Sequence, residues 1–326
     1  MRVPRLPWSF LCVIFIAFYL ASCMKEDSTG VLVPRIEGNW WKVADNPDLG
    51  DYTSDEQQPV DFAIWQADDG TWQLWSCIRH TKCGGMTRLF FRWEGEKLTD
   101  SDWKPMGIAM EADTSLGETK GGMQAPYVFK KNKKYIMLYG DWKRICLAES
   151  EDGKQFERKL NEKGHPALFE GPYKNTRDPM VLQHQEQYYC YYTGHLRQDS
   201  HENHKCAVFC RTSPNLLEWS DPIMVSAGGS PVGSTWFGGD CECPFVVKID
   251  SLFYLFRNQR YGKDNLNTQY CSSNPLDFGV DHDGKMIGEL PVAAPEIIKH
   301  KGKYYIAALL PDLKGIRIAK LKWIAK

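Results

Sequence analysis

A short phrase recurs five times along this chain and constrains the fold more than any other feature. In each copy a proline or phenylalanine stands at the entry to an apolar, strand-forming run. The copies are centred on Phe62, Pro126, Pro179, Pro244 and Pro295. Their spacings are 64, 53, 65 and 51 residues. A repeat of that size indicates supersecondary units stacked in a ring or an array.

Two further strands follow each copy of the phrase. The aromatic second strands are predicted at residues 72–77, 135–139, 188–193, 253–256 and 304–308. Third strands are predicted at residues 88–93, 207–211 and 315–322. Repeated meanders of about four antiparallel strands are typical of β-propeller blades. The sequence therefore predicts an all-β chain, folded as a single five-bladed β-propeller of four-stranded antiparallel blades.

The fifth blade runs out of chain after its third strand. Its outermost strand should therefore come from the N-terminal side, at residues 39–43. Such a strand ties the two ends of the ring together and protects a sheet edge.

The first 23 residues have the pattern of an export signal. Two arginines precede an apolar run at residues 8–20, which is shorter than the roughly 20 residues of a spanning helix. The run ends in Leu20-Ala21-Ser22-Cys23, which resembles a bacterial lipobox with Cys23 as the lipidated residue. An ordinary signal peptide or a short membrane anchor is the alternative. We expect a signal at residues 1–23, a polar tether at 24–35 and the propeller at 36–326, anchored by lipid to the outer membrane and facing the periplasm or the cell surface.

Composition narrows the classes of partner. The net charge is −1 with no basic stripe, which argues against nucleic acid and against binding to an anionic membrane surface. The twelve tryptophans suit carbohydrate stacking and blade packing equally. We expect a monomer with an oligosaccharide or polysaccharide partner. No cofactor or protein-bound metal site is predicted, although a channel-bound ion such as calcium stays open.

Eleven cysteines resemble a disulfide framework, but their placement favours another interpretation. Without Cys12 and Cys23, an odd number remains, and these cysteines fall on predicted strands, as small core residues do. A bridge between neighbouring strands, for example through Cys190, stays open. The nearby His201, His204, Cys206 and Cys210 are zinc-ligand types, but their spacing fits no common zinc site.

In a propeller, the five copies of the repeated phrase should lie close together and form a site. The innermost strand of each blade lines the central channel, so Asp61, Asp178 and Glu242 should meet at one mouth. The second strands return to that mouth. The residues expected to contact a ligand there are Arg79, His80, Gln124, Asp141, Trp142, Arg177, His195, Trp236, Arg257 and Glu296. The alternative is that the acids only cap backbone amides or pair with arginines, and for Glu296 a structural ion pair with Arg317 is expected.

Paired carboxylates are the recurring apparatus of glycosidic bond cleavage. Glu242 has weakly polar neighbours and a nearby acid, both of which favour a protonated carboxyl that can act as the general acid. Asp61 suits a nucleophile or base. Asp178 lies next to Arg177, so we expect it to stay ionised and to orient the sugar ring.

At these residues the chain resembles the five-bladed propeller glycosidases of glycoside hydrolase families 32, 43 and 68. The resemblance rests on Asp61, then Arg177-Asp178-Pro179, then Glu242-Cys243-Pro244, in that order. It implies Asp61 as nucleophile or base, Asp178 as transition-state stabiliser and Glu242 as acid/base. The surroundings of Asp61 depart from the fructosidase pattern, and the copy Gln124-Ala125-Pro126 is more similar to the arabinosidase and xylosidase branch. Arabinosides, xylosides and fructosides are therefore all open as substrates.

Two other functions are compatible with the same fold. A propeller that kept its pocket and lost its chemistry would be a surface carbohydrate-binding protein. A glycoside phosphorylase would use Arg79, His80 or Arg257 to hold phosphate.

Overall fold

The computed structural model describes residue 1 and residues 30–195, 206–230 and 241–326. In that part of the chain, strands form five antiparallel sheets that are arranged as the five blades of a β-propeller, as predicted. Helical structure there is limited to three 3-10 turns, at Gly50–Tyr52, Thr114–Leu116 and Gly262–Asp264. Within the same ranges, no helix has the length and apolar character needed to span a membrane.

The strands follow one another in chain order from blade to blade. The first strand, β1 (Leu32–Asp45), belongs to the last blade. Blade one contains β2 (Gln58–Gln66), β3 (Trp72–Arg79), β4 (Leu89–Gly95) and β5 (Lys104–Met110). Blade two contains β6 (Gln124–Lys131), β7 (Lys134–Gly140), β8 (Arg144–Ser150), the short β9 (Glu157–Arg158) and β10 (Ala167–Glu170).

The remaining blades repeat the same order. Blade three contains β11 (Asn175–His184), β12 (Gln187–His195), β13 (Cys206–Ser213) and β14 (Ile223–Ser226). Blade four contains β15 (Glu242–Ile249), β16 (Leu252–Arg260), β17 (Leu266–Ser272) and β18 (Met286–Leu290). Blade five contains β19 (Glu296–His300), β20 (Lys303–Leu309), β21 (Gly315–Ala325) and, at its outer edge, β1.

Ring closure follows the predicted route. Strand β1 pairs with β21 from Leu32 opposite Ala325 to Asp45 opposite Gly315. It begins four residues before the expected start of the propeller at residue 36. The N-terminal strand thus supplies main-chain hydrogen bonds that would otherwise be missing along an open edge.

Aromatic residues pack successive blades together. The ring of Phe156, in blade two, lies 5.3 Å from that of Trp75 in blade one. In the same way, Trp219 of blade three packs on Phe169 of blade two, with ring centroids 5.4 Å apart. Phe278 of blade four lies 6.2 Å from Tyr191 of blade three. These contacts assign a good part of the aromatic content to blade packing.

The repeated phrase forms the same backbone feature in all five blades. One residue of each phrase has a left-handed conformation: φ is 37° at Asp61, 41° at Ala125, 55° at Asp178, 47° at Cys243 and 47° at Ala294. In the first four blades the strand pairing shifts register at this point, which is a β-bulge. Bulges re-aim side chains and are common next to functional sites.

The left-handed residues show that the three acids do not all occupy equivalent positions in their blades. Asp61 and Asp178 occupy equivalent positions, but the equivalent residue in blade four is Cys243. Glu242 stands one residue earlier, where blades two and three carry Gln124 and Arg177. Because successive side chains of a strand point to opposite faces, that offset gives Glu242 a different set of neighbours from the two aspartates.

Candidate active site

The five left-handed residues surround one small cavity, which we call the central cavity. Its free volume is about 30 Å³, enough for one or two water molecules. The side chains around it that carry chemistry are Asp61, Asp178, Cys243 and Glu296. Acids that are far apart along the sequence therefore do meet, as the propeller prediction required.

Asp61 is held by two groups from blade four. Its side chain is buried, and its Oδ1 atom accepts hydrogen bonds from the Tyr261 hydroxyl and from the Cys243 thiol, each at 3.2 Å. The thiol and the hydroxyl are 3.0 Å apart. A carboxylate fixed in this way keeps one orientation, which suits a nucleophile or a base.

Asp178 has an unusually high pKa for a carboxyl group. Burial raises it, the charge of Asp61 raises it further, and the nearby guanidinium of Arg177 does not offset these effects, so the pKa is about 7. Its Oδ2 atom accepts a hydrogen bond from the backbone N–H of Cys243 at 3.2 Å and lies 3.6 Å from Nε of Arg177. The expectation that Arg177 keeps Asp178 fully ionised is therefore wrong, because like-charge repulsion and desolvation outweigh a single cation.

Glu242 shows the opposite shift. Burial acts to raise its pKa, but the charge of Arg177 and hydrogen bonds from His195 and Tyr261 outweigh burial and bring the pKa well below its ordinary value. Oε1 of Glu242 forms an ion pair with Arg177 and lies 2.8 Å from Nε2 of His195. Burial and the adjacent Arg177 lower the pKa of His195, so its ring is neutral near pH 7. The lowered pKa of Glu242 therefore contradicts the expected protonated carboxyl in the unliganded protein, and of the two groups it is Asp178 whose pKa is raised.

Tyr261 and Cys243 are site residues that the sequence reasoning missed. The Tyr261 hydroxyl contacts Asp61 and also hydrogen-bonds Glu242, so it lies between two of the candidate catalytic carboxylates. A hydroxyl has one proton to donate and can serve only one of the two carboxylates at a time. Cys243 could have been found by aligning the residues that precede the repeated prolines. Tyr261 carried no comparable signal, because it lies just beyond the end of β16.

Glu296 lines the central cavity, as predicted, but without the predicted partner. Its Oε2 atom accepts a hydrogen bond from the backbone N–H of Ile64 at 3.3 Å. Arg317 instead stacks on Trp40, with its guanidinium carbon 4.2 Å from the ring centroid. Burial raises the pKa of Glu296 well above its ordinary value, which favours the protonated carboxyl.

Two residues expected at the ligand face are instead structural. Asp141 is fully buried, where it forms an ion pair with Arg144 at 2.6 Å and caps the following turn. Arg257 is also fully buried and donates to the hydroxyl of Ser226 and the carbonyl oxygen of Gly228. Asp141 is neutralised by Arg144, whereas Arg257 has uncharged partners and is kept from a ligand by its complete burial.

Four further residues were expected to contact a ligand: Arg79, His80, Trp142 and Gln124. Arg79 is partly exposed and donates twice to Oε1 of Gln58, at 2.7 and 2.9 Å. His80 is exposed, and Trp142 is partly exposed with Arg88 over its ring at 5.2 Å. Gln124 is fully buried, and its side-chain amide has no hydrogen-bond partner in the described ranges. That unmet hydrogen-bonding capacity makes Gln124 a candidate ligand contact.

Two predicted roles lie outside the described residues: the lipidation of Cys23 and the ligand contact of Trp236. His201 and His204 lie outside them as well.

The central cavity offers one group of metal-ligand types. Ligand atoms of Asp61, Asp178 and Cys243 all lie within 4.8 Å of one another. Calcium takes six to eight oxygen ligands, and two carboxylates with a thiol do not match that preference. This group of ligand atoms therefore does not match calcium.

Comparison by sequence found nothing: no family model and no curated protein matches this chain. Comparison of the fold with solved structures found many matches. An endo-arabinase from Bacteroides thetaiotaomicron has a TM-score of 0.60 at 14% identity, covering 86% of this chain and 98% of its own. A Xanthomonas citri family-43 enzyme complexed with xylose has a TM-score of 0.58 at 14% identity, covering 87% and 90%.

A β-fructofuranosidase of family 32 from Bombyx mori is similar as well. Its TM-score is 0.55 at 15% identity, covering 86% of this chain and 61% of its own. These likenesses confirm the predicted resemblance to five-bladed propeller glycosidases at the level of the fold. At such low identity they say nothing about which bond, if any, this chain cleaves.

Proposed function

We propose that this protein is a glycoside hydrolase that cleaves furanosides or related pyranosides, such as arabinosides, xylosides or fructosides. The observation that carries the proposal is the convergence of Asp61, Asp178 and Glu242 in one buried site, where the pKa of Asp178 is raised and that of Glu242 is lowered. Carboxyl groups whose environments separate their pKa values are the apparatus of acid–base chemistry at neutral pH. The fold neighbours, which include an arabinase and a fructofuranosidase, support the same reaction class.

In this proposal Asp61 attacks the anomeric carbon or activates water, and Glu242 protonates the leaving oxygen. Both roles are those implied by the resemblance. Asp61 fits its role because Tyr261 and Cys243 fix its orientation. Glu242 needs a proton that it lacks in the unliganded protein.

Arg177 controls where that proton resides. Its guanidinium forms an ion pair with Glu242 and lies near Asp178, and the charges of Arg177 and Glu242 both influence the pKa of Asp178. A sugar hydroxyl that draws Arg177 away from Glu242 removes the charge that depresses the pKa of Glu242. The proton then moves from Asp178 to Glu242, and Asp178 becomes the ionised partner of the developing positive charge on the sugar ring. Coupled carboxyl groups of this kind share protons as a unit.

Leaving-group dependence tests these roles. The test substrates are 4-nitrophenyl and 2,4-dinitrophenyl glycosides of arabinose, xylose and fructose. In the second series the 2,4-dinitrophenolate group leaves without being protonated. Glu242→Gln should therefore lose about 100- to 10,000-fold in kcat on unactivated oligosaccharides and far less on the dinitrophenyl substrates. Asp61→Asn should lose activity on both. Equal losses for Glu242→Gln on all substrates would remove Glu242 from the acid role.

A silent carbohydrate-binding protein is the second candidate, and one observation favours it. In the unliganded protein Glu242 is neutralised by Arg177 rather than protonated, as in a site that has lost its acid. Such a protein would bind oligosaccharides in calorimetry and show no turnover on any of the substrates above. The phosphorylase alternative loses one of its three candidate phosphate ligands, because Arg257 is fully buried and donates to Ser226 and Gly228.

We also propose that the protein is exported and anchored by lipid at Cys23, on the strength of the lipobox-like sequence Leu20-Ala21-Ser22-Cys23. Cys23→Ser should abolish incorporation of labelled palmitate and release the protein from the membrane fraction. Membrane retention of the variant would favour an ordinary membrane anchor.

A further inference from the structure

Two cysteines meet beside Glu242, and the proposed mechanism uses neither of them. Cys206 begins β13 and stands opposite His195 in the strand ladder. Cys241 directly precedes Glu242 at the start of β15. Both side chains are buried, with relative exposures of 6% and 1%, and they belong to the same apolar cluster. The thiol of Cys206 hydrogen-bonds to that of Cys241.

This contact differs from those of other thiols in the described ranges. Cys77, Cys83, Cys190 and Cys210 direct their sulfur atoms to backbone carbonyl oxygens. Cys243 contacts Asp61 and Tyr261. Cys206 and Cys241 instead contact each other thiol to thiol, and a disulfide needs two cysteines that lie close together.

We propose that Cys206 and Cys241 form a disulfide when the chain folds in the presence of a disulfide donor, and that this bond ties the strand carrying Glu242 to blade three. The bond would run parallel to an existing contact. Cys241 neighbours Glu242, Cys206 stands opposite His195, and Nε2 of His195 already lies 2.8 Å from Glu242. The cross-link and the polar contact therefore fix the same corner of the site.

The chemistry is ordinary thiol–disulfide exchange. One cysteine loses its proton, and its thiolate attacks a sulfur of a small-molecule or protein disulfide, releasing one donor thiol. The second cysteine then attacks the protein sulfur of the mixed disulfide, so that the protein disulfide forms and the second donor thiol leaves. The protein loses two protons and two electrons, and the donor is reduced to two thiols.

Burial of the two thiols determines at which stage of folding they can be oxidised. The pKa of Cys206 is raised well above its ordinary value by burial and by the adjacent Cys241. Few thiolates form once the fold has closed, and thiolates are the attacking species. Oxidation should therefore be efficient during folding with a disulfide donor and slow when the reduced protein is already folded.

Peptide mapping tests the pairing directly. The full chain is refolded with a mixture of reduced and oxidised glutathione, alkylated at low pH and digested with trypsin without reductant. Cleavage after Lys205, Arg211 and Lys248 gives peptides 206–211 and 212–248, and each contains two cysteines. We expect these two peptides to be joined by one disulfide.

Serine variants assign the sulfur atoms. The cross-link should vanish in Cys206→Ser and in Cys241→Ser, and it should persist in the matched controls Cys210→Ser and Cys243→Ser, which remove the other cysteine of each peptide. Separate peptides in the refolded wild-type protein would overturn the proposal. So would a cross-link that survives both Cys206→Ser and Cys241→Ser.

Thermal stability supplies a second measurement. The bond closes a loop of 36 residues, and a loop of that length should raise Tm by roughly 5 °C. Reduction should lower the Tm of the cross-linked protein by that amount and leave Cys206→Ser unchanged. An equal response to reductant in both proteins would contradict the proposal. Neither measurement involves sugar turnover, so failure here is distinguishable from failure of the hydrolase proposal.

Discussion

Replacing Asp178 by asparagine should stabilise this protein, and the gain should appear only as the pH rises. Asp178 has a pKa of about 7, against 3.8 for an ordinary aspartate. Between those values the folded protein holds a proton that the unfolded chain releases, so stability falls as the pH increases. A difference of about 3 units corresponds to about 4 kcal/mol above pH 7. Asparagine has no proton to lose, so Asp178→Asn removes this cost.

The substitution is also acceptable to the backbone. Asp178 has φ of 55°, and asparagine is one of the residues that adopt this left-handed region readily. Its side-chain oxygen can still accept the hydrogen bond from the backbone N–H of Cys243. The variant therefore changes the charge and little else.

Calorimetry at pH 5 and pH 8 measures the effect. For a chain of this size, about 4 kcal/mol corresponds to roughly 6 °C in Tm. We expect a gain of that order at pH 8 and a clearly smaller one at pH 5. Asp141→Asn is the matched control: it breaks the buried pair with Arg144 and should lower Tm at both pH values. A loss of stability in Asp178→Asn that is the same at pH 5 and pH 8 would refute the reasoning.

Three further predictions concern other parts of the molecule. Deleting residues 1–45 removes β1, which pairs with β21 along the edge of blade five, and should abolish cooperative melting in calorimetry; a truncated chain with an unchanged Tm would disprove ring closure by this strand. Ala294→Gly relieves a left-handed alanine with φ of 47° and should stabilise by about 1 kcal/mol in urea denaturation; a clear loss would argue against backbone strain at Ala294. Tyr261→Phe removes the hydroxyl between Asp61 and Glu242 and should lower kcat about 10- to 100-fold, as expected when a hydrogen bond to a charged group is lost, while KM changes little; unchanged kinetics would make Tyr261 a packing residue only.

The architecture was predictable because it follows from local rules that repeat. Alternation along the strands and a repeated entry phrase give five blades. A fifth blade one strand short demands an N-terminal partner, which β1 supplies. The meeting of Asp61 and Asp178 follows from the same repeat, since equivalent residues of a ring face a common axis.

The electrostatics of the site were not predictable in this way. The one-residue offset of Glu242 depends on a bulge, which is a matter of backbone dihedrals rather than residue type. The pKa values of Asp178 and Glu242 depend on which of the two carboxylates pairs with Arg177. Arg177 pairs with Glu242, which is 65 positions away in the next blade, rather than with its sequence neighbour Asp178. Tyr261 reaches the site only because the pairing of β16 is irregular after Asn258.

The most direct test of the account is a carbon-13 NMR titration of the side-chain carboxyl groups, in the wild-type protein and in Asp61→Asn. The central claim is that acids from separate blades share one buried site and influence each other's protonation. We expect one aspartate resonance to titrate near pH 7 in the wild type, to disappear in Asp178→Asn, and to move to clearly lower pH in Asp61→Asn. If every aspartate titrates below about pH 5 in the wild type, or if the high value is unaffected by Asp61→Asn, the acids do not interact as described.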